Sequence, residues 1–346
     1  MMGTSDGTVL GTTQIVDNGP TADRFNLVLV SEGYQAAQME QFAQDAQSFV
    51  TTLNATPPFA ELHCAFNVFR VNVTSTDSGA NDPAACGGTG AQVHTYFDAS
   101  YCNGGIRRLL VCNTNLVRNV VSSQVPAWHQ ILVLVNSPIY GGSGDTIATF
   151  AVAGPWQQVA LHEMGHAAYG FADEYEYLVG CFADPPGTHD HHPPAEPGEP
   201  NVTVNSDRNT IKWAALIAAS TPMPTMPNPD CTQCNRGPSP VPAGTVGAFE
   251  GAHYFHCGCY RPEYECRMRD IGFEFCAVCQ NVIRTTMDPF HPCTQLEQEV
   301  TDLEDALAAG EIPAPPRTKE KIAAVRRLIA AKRRELRQCI RRCGAG

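Results

Sequence analysis

The chain has 346 residues, 43% hydrophobic and 17% charged, with a formal net charge of −12. Such a length buries a substantial core in one large domain or two to three smaller ones, and the Gly- and Pro-rich composition favours a loop-rich globular protein over a disordered chain or a helical bundle. The acid excess argues against nucleic acid as a partner, and no run approaches the ~20 apolar residues of a membrane helix. Fifteen cysteines point to disulfides in an exported protein, secreted or periplasmic, and their odd number leaves at least one unpaired if every bridge is intramolecular. Met1–Gly11 lacks the charged-then-apolar order of a signal peptide, so the targeting segment is expected to lie outside this chain.

In chain order, Asn26–Ser31 reads as a buried strand and Gln35–Leu53 as a helix stopped by Pro57-Pro58. Phe66–Val73 alternates as a strand, and the Gly/Asp/Asn/Ser-rich stretch 75–90 reads as a loop. Arg107–Cys112 and Gln130–Asn136 read as further strands, with Phe150–Ala153 a short edge strand beyond the glycine turn Gly141–Gly144. Trp156–Tyr169 reads as one helix ending at Gly170. The interleaving predicts an α/β (α+β) fold, a twisted mixed sheet with helices packed on it.

Beyond Gly170 the periodicity collapses. Cys181–Pro242 is dominated by Pro, Gly, Asn and His, broken by a helix predicted at Ile211–Ala219, and such a segment needs cross-links. In the tail, Leu296, Val300, Leu303 and Leu307 share one helical stripe and Ile322, Val325, Ile329 and Leu336 another, with Pro313, Pro315 and Pro316 in the turn between them. The division expected is a catalytic domain over residues 1–293, its upper half being residues 1–170 and its lower half residues 171–293, followed by a helical hairpin over residues 294–346. The hairpin carries 11 Lys/Arg against 8 Asp/Glu. It reads as a solvated face, the alternative being docking on the acidic body.

The chemistry concentrates at His162-Glu163-Met164-Gly165-His166. Histidines at i and i+4 lie on one helix face and can grip one ion, and a catalytic zinc takes three protein ligands and keeps one position for water. Glu163 is then placed to act on that water as general base. Gly170 ends the helix and turns the chain sharply, bringing Asp173 and Glu174 back towards the ion.

The segment His162–Tyr175, H-E-M-G-H-A-A-Y-G-F-A-D-E-Y, resembles the signature of the immunoglobulin-A-peptidase (igalysin) family, a branch of metzincin-like zinc endopeptidases. Further stretches resemble it in the same order: Leu27–Tyr34, Asn201–Thr203 with Lys212-Trp213, Phe249–Ala252, Tyr260–Pro262, Cys266–Met268 and Phe275–Cys279. The resemblance runs from about residue 20 to 290 and implies a zincin/metzincin-like architecture. An upper half would carry the sheet and active-site helix, a lower half would be irregular, and the substrate cleft would run between them. It implies Met268 as an apolar floor beneath the zinc. In the wider metzincin pattern a glycine follows the second histidine by three residues and a third histidine by six. Here Gly170 follows by four and Asp173 by seven, so the third ligand is expected at Asp173, with Glu174 as the alternative.

Other residues carry weaker signals. Tyr260 is a candidate to hold the oxyanion of the tetrahedral intermediate, with Tyr264 nearby and a structural hydrogen bond as the alternative. Arg261 reads as a structural ion pair before a substrate contact. Cys231-x-x-Cys234 and Cys276-x-x-Cys279 could form a four-thiolate zinc site, but in an exported protein they read as disulfide cysteines. Cys293 could bridge Cys339 or Cys343 across the hairpin, and His189–His192 reads as a solvated loop. The sequons at Asn54, Asn72 and Asn201 matter only in a glycosylating host. The function expected is a secreted, monomeric endopeptidase with one catalytic Zn2+ held by His162, His166 and Asp173, acting on protein or peptide through Glu163. The alternatives are an inactive binding or adhesion module of the same fold, or a zinc hydrolase of a non-peptide bond.

Overall fold

The computed structural model describes residues 6–176, 187–235 and 237–343. Its centre is a six-stranded mixed sheet in the order β1-β3-β2-β4-β6-β5, where β1 is Gly7–Val16, β2 Phe25–Glu32, β3 Phe66–Ser75, β4 Gln130–Val135, β5 Gly142–Gly144 and β6 Ala148–Ala151. The inner strands run parallel, while β1 on β3 and β5 on β6 are antiparallel at the two edges. The expected strands at 26, 66 and 130 are inner ones; those at 26 and 130 read as apolar runs because both their faces are covered, while the one at 66 alternates. Every residue of β2 and β4 is buried.

Alternation along those strands divides the core between two faces. Leu27, Leu29, Leu132 and Leu134 pack with α1 (Met39–Ala55), α2 (Phe59–Leu62) and α4 (Trp156–Tyr169). Val28, Val30, Ile131 and Val133 point the other way, onto α3 (Thr114–Gln124) and Tyr96, Phe97 and Leu110. Burying each of these aliphatic side chains stabilises by ~1.5–3 kcal/mol, so α4, through Trp156, Leu161 and Met164, is held firmly against the sheet. Two structural roles explain the E-G-Y turn after β2. The buried Glu32 carboxylate accepts from the amides of Phe97 (2.9 Å) and Ala99 (3.0 Å), and the Tyr34 hydroxyl donates to Asp45 on α1 (2.8 Å).

Several expectations need correction. Arg107–Cys112 forms no strand; it makes only isolated bridges from Leu109 to Gly142 and from Val111 to Ser100. The helix expected at Ile211–Ala219 shrinks to one turn, Ala214–Leu216, because Ile211 and Trp213 are buried in the core and Lys212 is drawn off to the carbonyls of Pro197, Glu199 and Val202. Strand β1 has no counterpart among the sequence-predicted elements: none of its residues is fully buried, and Gly11, Thr12, Thr13 and Gln14 interrupt its apolar positions. Among the described residues between α4 and residue 288, the longer regular elements are the hairpin β7 (Phe249–Ala252)–β8 (Phe255–Arg261) and helix α5 (Ala277–Met287).

Disulfides join Cys86 to Cys102, Cys231 to Cys257, Cys293 to Cys339 and Cys64 to Cys343. Cys181 lies outside the described residues. The tail hairpin, α6 (Pro292–Ala309) and α7 (Lys319–Cys343), is therefore closed by one bridge and tied to the body by another. Its charges pair within it, Lys332 with Glu299 at 2.8 Å and Arg333 with Glu304 at 2.6 Å. Cys276 and Cys279 are not disulfide-bonded, against expectation; they remain thiols beside Cys266. No helix among the described residues is long and apolar enough to cross a membrane.

Candidate active site

Helix α4 spans Trp156–Tyr169, as its periodicity predicts, and ends in a glycine cap. Gly170 adopts φ +65°, its amide reaches the His166 carbonyl at 3.0 Å, and the Phe171 amide reaches Gly165 at 3.2 Å. This reversal sends Ala172–Glu174 back past the helix. His162 Nε2 and His166 Nε2 lie 3.1 Å apart, and Asp173 Oδ1 stands 3.0 Å from the first and 3.3 Å from the second. Glu174 points the other way. Of the two adjacent acids, Asp173 alone meets the histidines.

The supporting bonds orient both rings. His162 Nδ1 donates to the Arg267 carbonyl at 3.0 Å and His166 Nδ1 to the Phe171 carbonyl at 2.6 Å. Each Nε2 lone pair is thereby turned inward. Three donors of a tetrahedral zinc, bound at about 2.0–2.1 Å, stand about 3.3 Å apart, which matches the observed triangle. Asp173 Oδ1 is buried without a hydrogen bond of its own. Burial would raise the Asp173 carboxyl, but His162 and His166 hold it well below the usual range. Burial lowers His166, yet Asp173 and Glu163 lift it to about 9. Two imidazoles and a carboxylate that face one point offer a metal cation three donors.

Glu163 sits beside the triangle on the wall of a groove of about 400 Å³ that also includes Arg108, Tyr175 and Tyr254. Burial pushes its carboxyl up, against the pull of the two histidines. Edge strand β5 crosses here at close range. A Cβ on Gly142 would lie 2.7 Å from Glu163 Oε1, and one on Gly144 would lie 2.5 Å from the Glu163 carbonyl and 2.8 Å from His166 Cβ. The backbone contact cannot be relieved by a side-chain rotation. Gly144→Ala is therefore expected to displace Glu163 and His166 and to lower any activity that depends on them at least ~10-fold, since a shift near 1 Å misplaces reacting groups, while leaving the far-ultraviolet circular dichroism unchanged. Gly165 serves the opposite face of α4, where a Cβ would meet Met268 Sδ at 2.8 Å. The fully buried Met268 packs there against the helix, and its carbonyl accepts from the Glu174 amide at 2.8 Å.

Two phenols that the sequence does not single out face the site. Tyr254 donates to Asp173 Oδ2 at 2.6 Å and Tyr175 to the same oxygen at 2.8 Å; Arg108 reaches the Tyr175 oxygen at 3.2 Å. Tyr254 arrives on the β7–β8 turn, where His253 and Tyr254 hold φ +55° and +73°. That left-handed pair is the position at which hairpins favour Asn-Gly, so backbone strain is retained where a side chain is aimed at Asp173. The turn is pinned by the His253 amide on the Asp173 carbonyl (3.1 Å) and the Tyr254 amide on Tyr175 (3.0 Å). Tyr254→Phe is expected to weaken metal affinity about 10–100-fold, as loss of an outer hydrogen bond to a ligand does, read by competition with a chromogenic chelator.

Tyr260, the expected oxyanion partner, is not brought to the groove. It pairs with Glu250 across the β7–β8 ladder and packs on the core. Tyr264 donates to the Gly237 carbonyl at 2.8 Å, and the buried Arg261 pairs with Glu176 at 3.7 Å and binds backbone carbonyls; both are structural. Of the histidine run, His192 meets His253 at 3.0 Å and His191 is exposed. Asn201 is buried, its amide spent on Ala172 and Glu174, so that sequon is closed to glycan.

No curated protein matches the chain. A family model does, described as IgA Peptidase M64, over residues 13–237 and 239–287. That range holds the whole sheet apart from the start of β1, helix α4 and every residue that meets in the groove. It stops short of the α6–α7 hairpin. The chain belongs to the IgA peptidase M64 family, a family of metallopeptidases.

Proposed function

We infer that the chain is an exported zinc endopeptidase with a metzincin-like catalytic body. The observation that carries this reading is the triangle of His162 Nε2, His166 Nε2 and Asp173 Oδ1, with edges of 3.0–3.3 Å, beside a buried carboxylate on the wall of an open groove. An ion bound by those three atoms supplies a Lewis acid, lowering the pKa of water towards about 7 and polarising a carbonyl. Two imidazoles and one carboxylate suit zinc.

The remaining steps belong to the protein. A peptide lies along the groove with its scissile carbonyl at the triangle. Glu163 accepts a proton from the attacking water as the oxygen–carbon bond forms. It returns that proton to the amide nitrogen as the carbon–nitrogen bond breaks, so the products are a carboxylic acid and an amine, which become carboxylate and ammonium once the acid's proton passes to the amine. Burial suits Glu163 to both duties, because a raised pKa brings it closer to neutrality. Arg108 places positive charge on the same wall, where charge develops on the carbonyl oxygen, while the phenols of Tyr175 and Tyr254 are spent on holding Asp173. The disulfides support an oxidising compartment, hence export.

Incubating the intact chain with a mixed peptide library, with and without a chelator, tests the reading by mass spectrometry of the products. Internal cleavage that stops on chelation and returns with zinc is expected. Peptides bound but uncut would favour an adhesion module, and hydrolysis of esters alone a non-peptide substrate; either outcome overturns the proposal.

A further inference from the structure

The chain carries a second constellation of metal donors, behind the groove and outside the proposed catalytic step. Cys266, Cys276, Cys279 and Glu174 are all buried, and one donor atom from each lies within 4.8 Å of the others. Cys266 Sγ and Cys279 Sγ are 3.9 Å apart, Cys279 Sγ and Glu174 Oε1 3.6 Å, and Cys276 Sγ and Glu174 Oε1 4.0 Å. Two thiolates on one tetrahedral zinc, at about 2.3 Å each, stand about 3.8 Å apart, and a thiolate and a carboxylate oxygen about 3.5 Å. The other carboxylate oxygen, Glu174 Oε2, is buried with no hydrogen-bond partner, an expensive arrangement for an acid in an apolar core.

Two of the three sulfurs accept from backbone amides. Cys276 caps the first turn of α5, its own amide donates to Cys266 Sγ at 3.3 Å, and the Cys279 amide donates to Cys276 Sγ at 3.4 Å. Sulfur at a helix N-terminus with amide donors is stabilised as the anion. The buried guanidinium of Arg261 acts on Glu174, and Arg267 lies beside Cys266, offsetting part of the negative charge. Five described cysteines are free thiols in a protein that also bears disulfides, and three of the five meet here.

We propose that Glu174, Cys266, Cys276 and Cys279 bind a structural zinc ion. This site braces the proposed catalytic one through a single peptide unit. Asp173 faces the histidines while Glu174, its neighbour, faces the thiols, and the Glu174 amide is tied to Met268 at 2.8 Å. The loop carrying Arg267 and Met268 then lies between Cys266 and the His162 ring it supports. Binding closes the cluster by displacing the thiol protons.

The test uses the full chain with His162→Ala and His166→Ala together, which removes the first triangle and leaves the thiols untouched. Metal content is expected to fall from roughly two equivalents to roughly one, and the cobalt-loaded double variant should keep sulfur-to-cobalt charge-transfer absorption. If the reading of the first triangle is wrong, wild type and double variant both hold roughly one sulfur-bound ion, and the second site still stands. The proposal is overturned if the double variant binds no metal, if its cobalt form shows no sulfur absorption, or if peptide mapping finds Cys266 disulfide-bonded to Cys279. Cys279→Ser added to the double variant should abolish the absorption. Should that triple variant not fold, X-ray absorption at the zinc edge of the double variant decides the matter by the presence or absence of zinc–sulfur scattering.

Discussion

Replacing Glu163 by Gln is expected to leave the metal bound and to lower peptide cleavage by about 10²–10⁴-fold, the range a general acid–base group supplies. The expectation rests on position. Glu163 makes no edge of the His162–His166–Asp173 triangle, yet its carboxylate lines the same groove and lies against Gly142. Gln keeps the shape and loses the ability to take a proton. The loss should appear in kcat more than in KM, because no binding contact is removed. Metal analysis and steady-state cleavage on the same preparation check it; unchanged hydrolysis would remove Glu163 from the mechanism.

Asp173→Ala acts on the metal first. It removes one vertex of the triangle and strips Tyr175 and Tyr254 of their shared acceptor. The expected fall in metal affinity exceeds the 10–100-fold typical of an outer partner, and activity falls with it. The double-histidine site left behind should no longer survive dialysis against a chelator. Glu174→Ala separates the neighbouring acid. It should leave His162, His166 and Asp173 able to bind metal while disturbing the thiol cluster. Equal loss of groove metal in both variants would contradict the division of labour between the two acids.

The elements readable from sequence are those whose partners are local or whose burial is two-sided. Strands β2 and β4 are apolar runs, β3 alternates, and α4 begins and ends where its periodicity and Gly170 place it. Strand β1 is invisible to such a reading because it lies at the sheet edge with no residue fully buried, and Gly11, Thr12, Thr13 and Gln14 break up its apolar positions. Helix α3 carries β-branched residues and serines, and its start depends on the Asn113 side chain accepting from the Leu116 amide at 3.1 Å.

The same distinction holds at the site. His162, Glu163 and His166 share one helix, so spacing alone brings them together. Asp173 follows within one turn of chain. Tyr254 lies 81 residues further on and arrives only through a strained hairpin turn whose His-Tyr pair lacks the Asn-Gly signal. Tyr260 is the more natural expectation because the family resemblance falls on its segment, but the β-ladder turns it to Glu250. Two left-handed residues at 253–254 are what a sequence pattern cannot announce. Cysteine partners are equally non-local: Cys231 pairs with Cys257, and Cys276 and Cys279 form no bridge, with each other or elsewhere.

Anomalous scattering at the zinc edge, from crystals of the zinc-loaded chain, tests the central claim most directly. A peak within bonding distance of His162 Nε2, His166 Nε2 and Asp173 Oδ1, with Glu163 beside it and outside the ligand set, is the predicted result. A triangle without a peak, or a peak there ligated by Glu163 or Glu174 in place of Asp173, would contradict it.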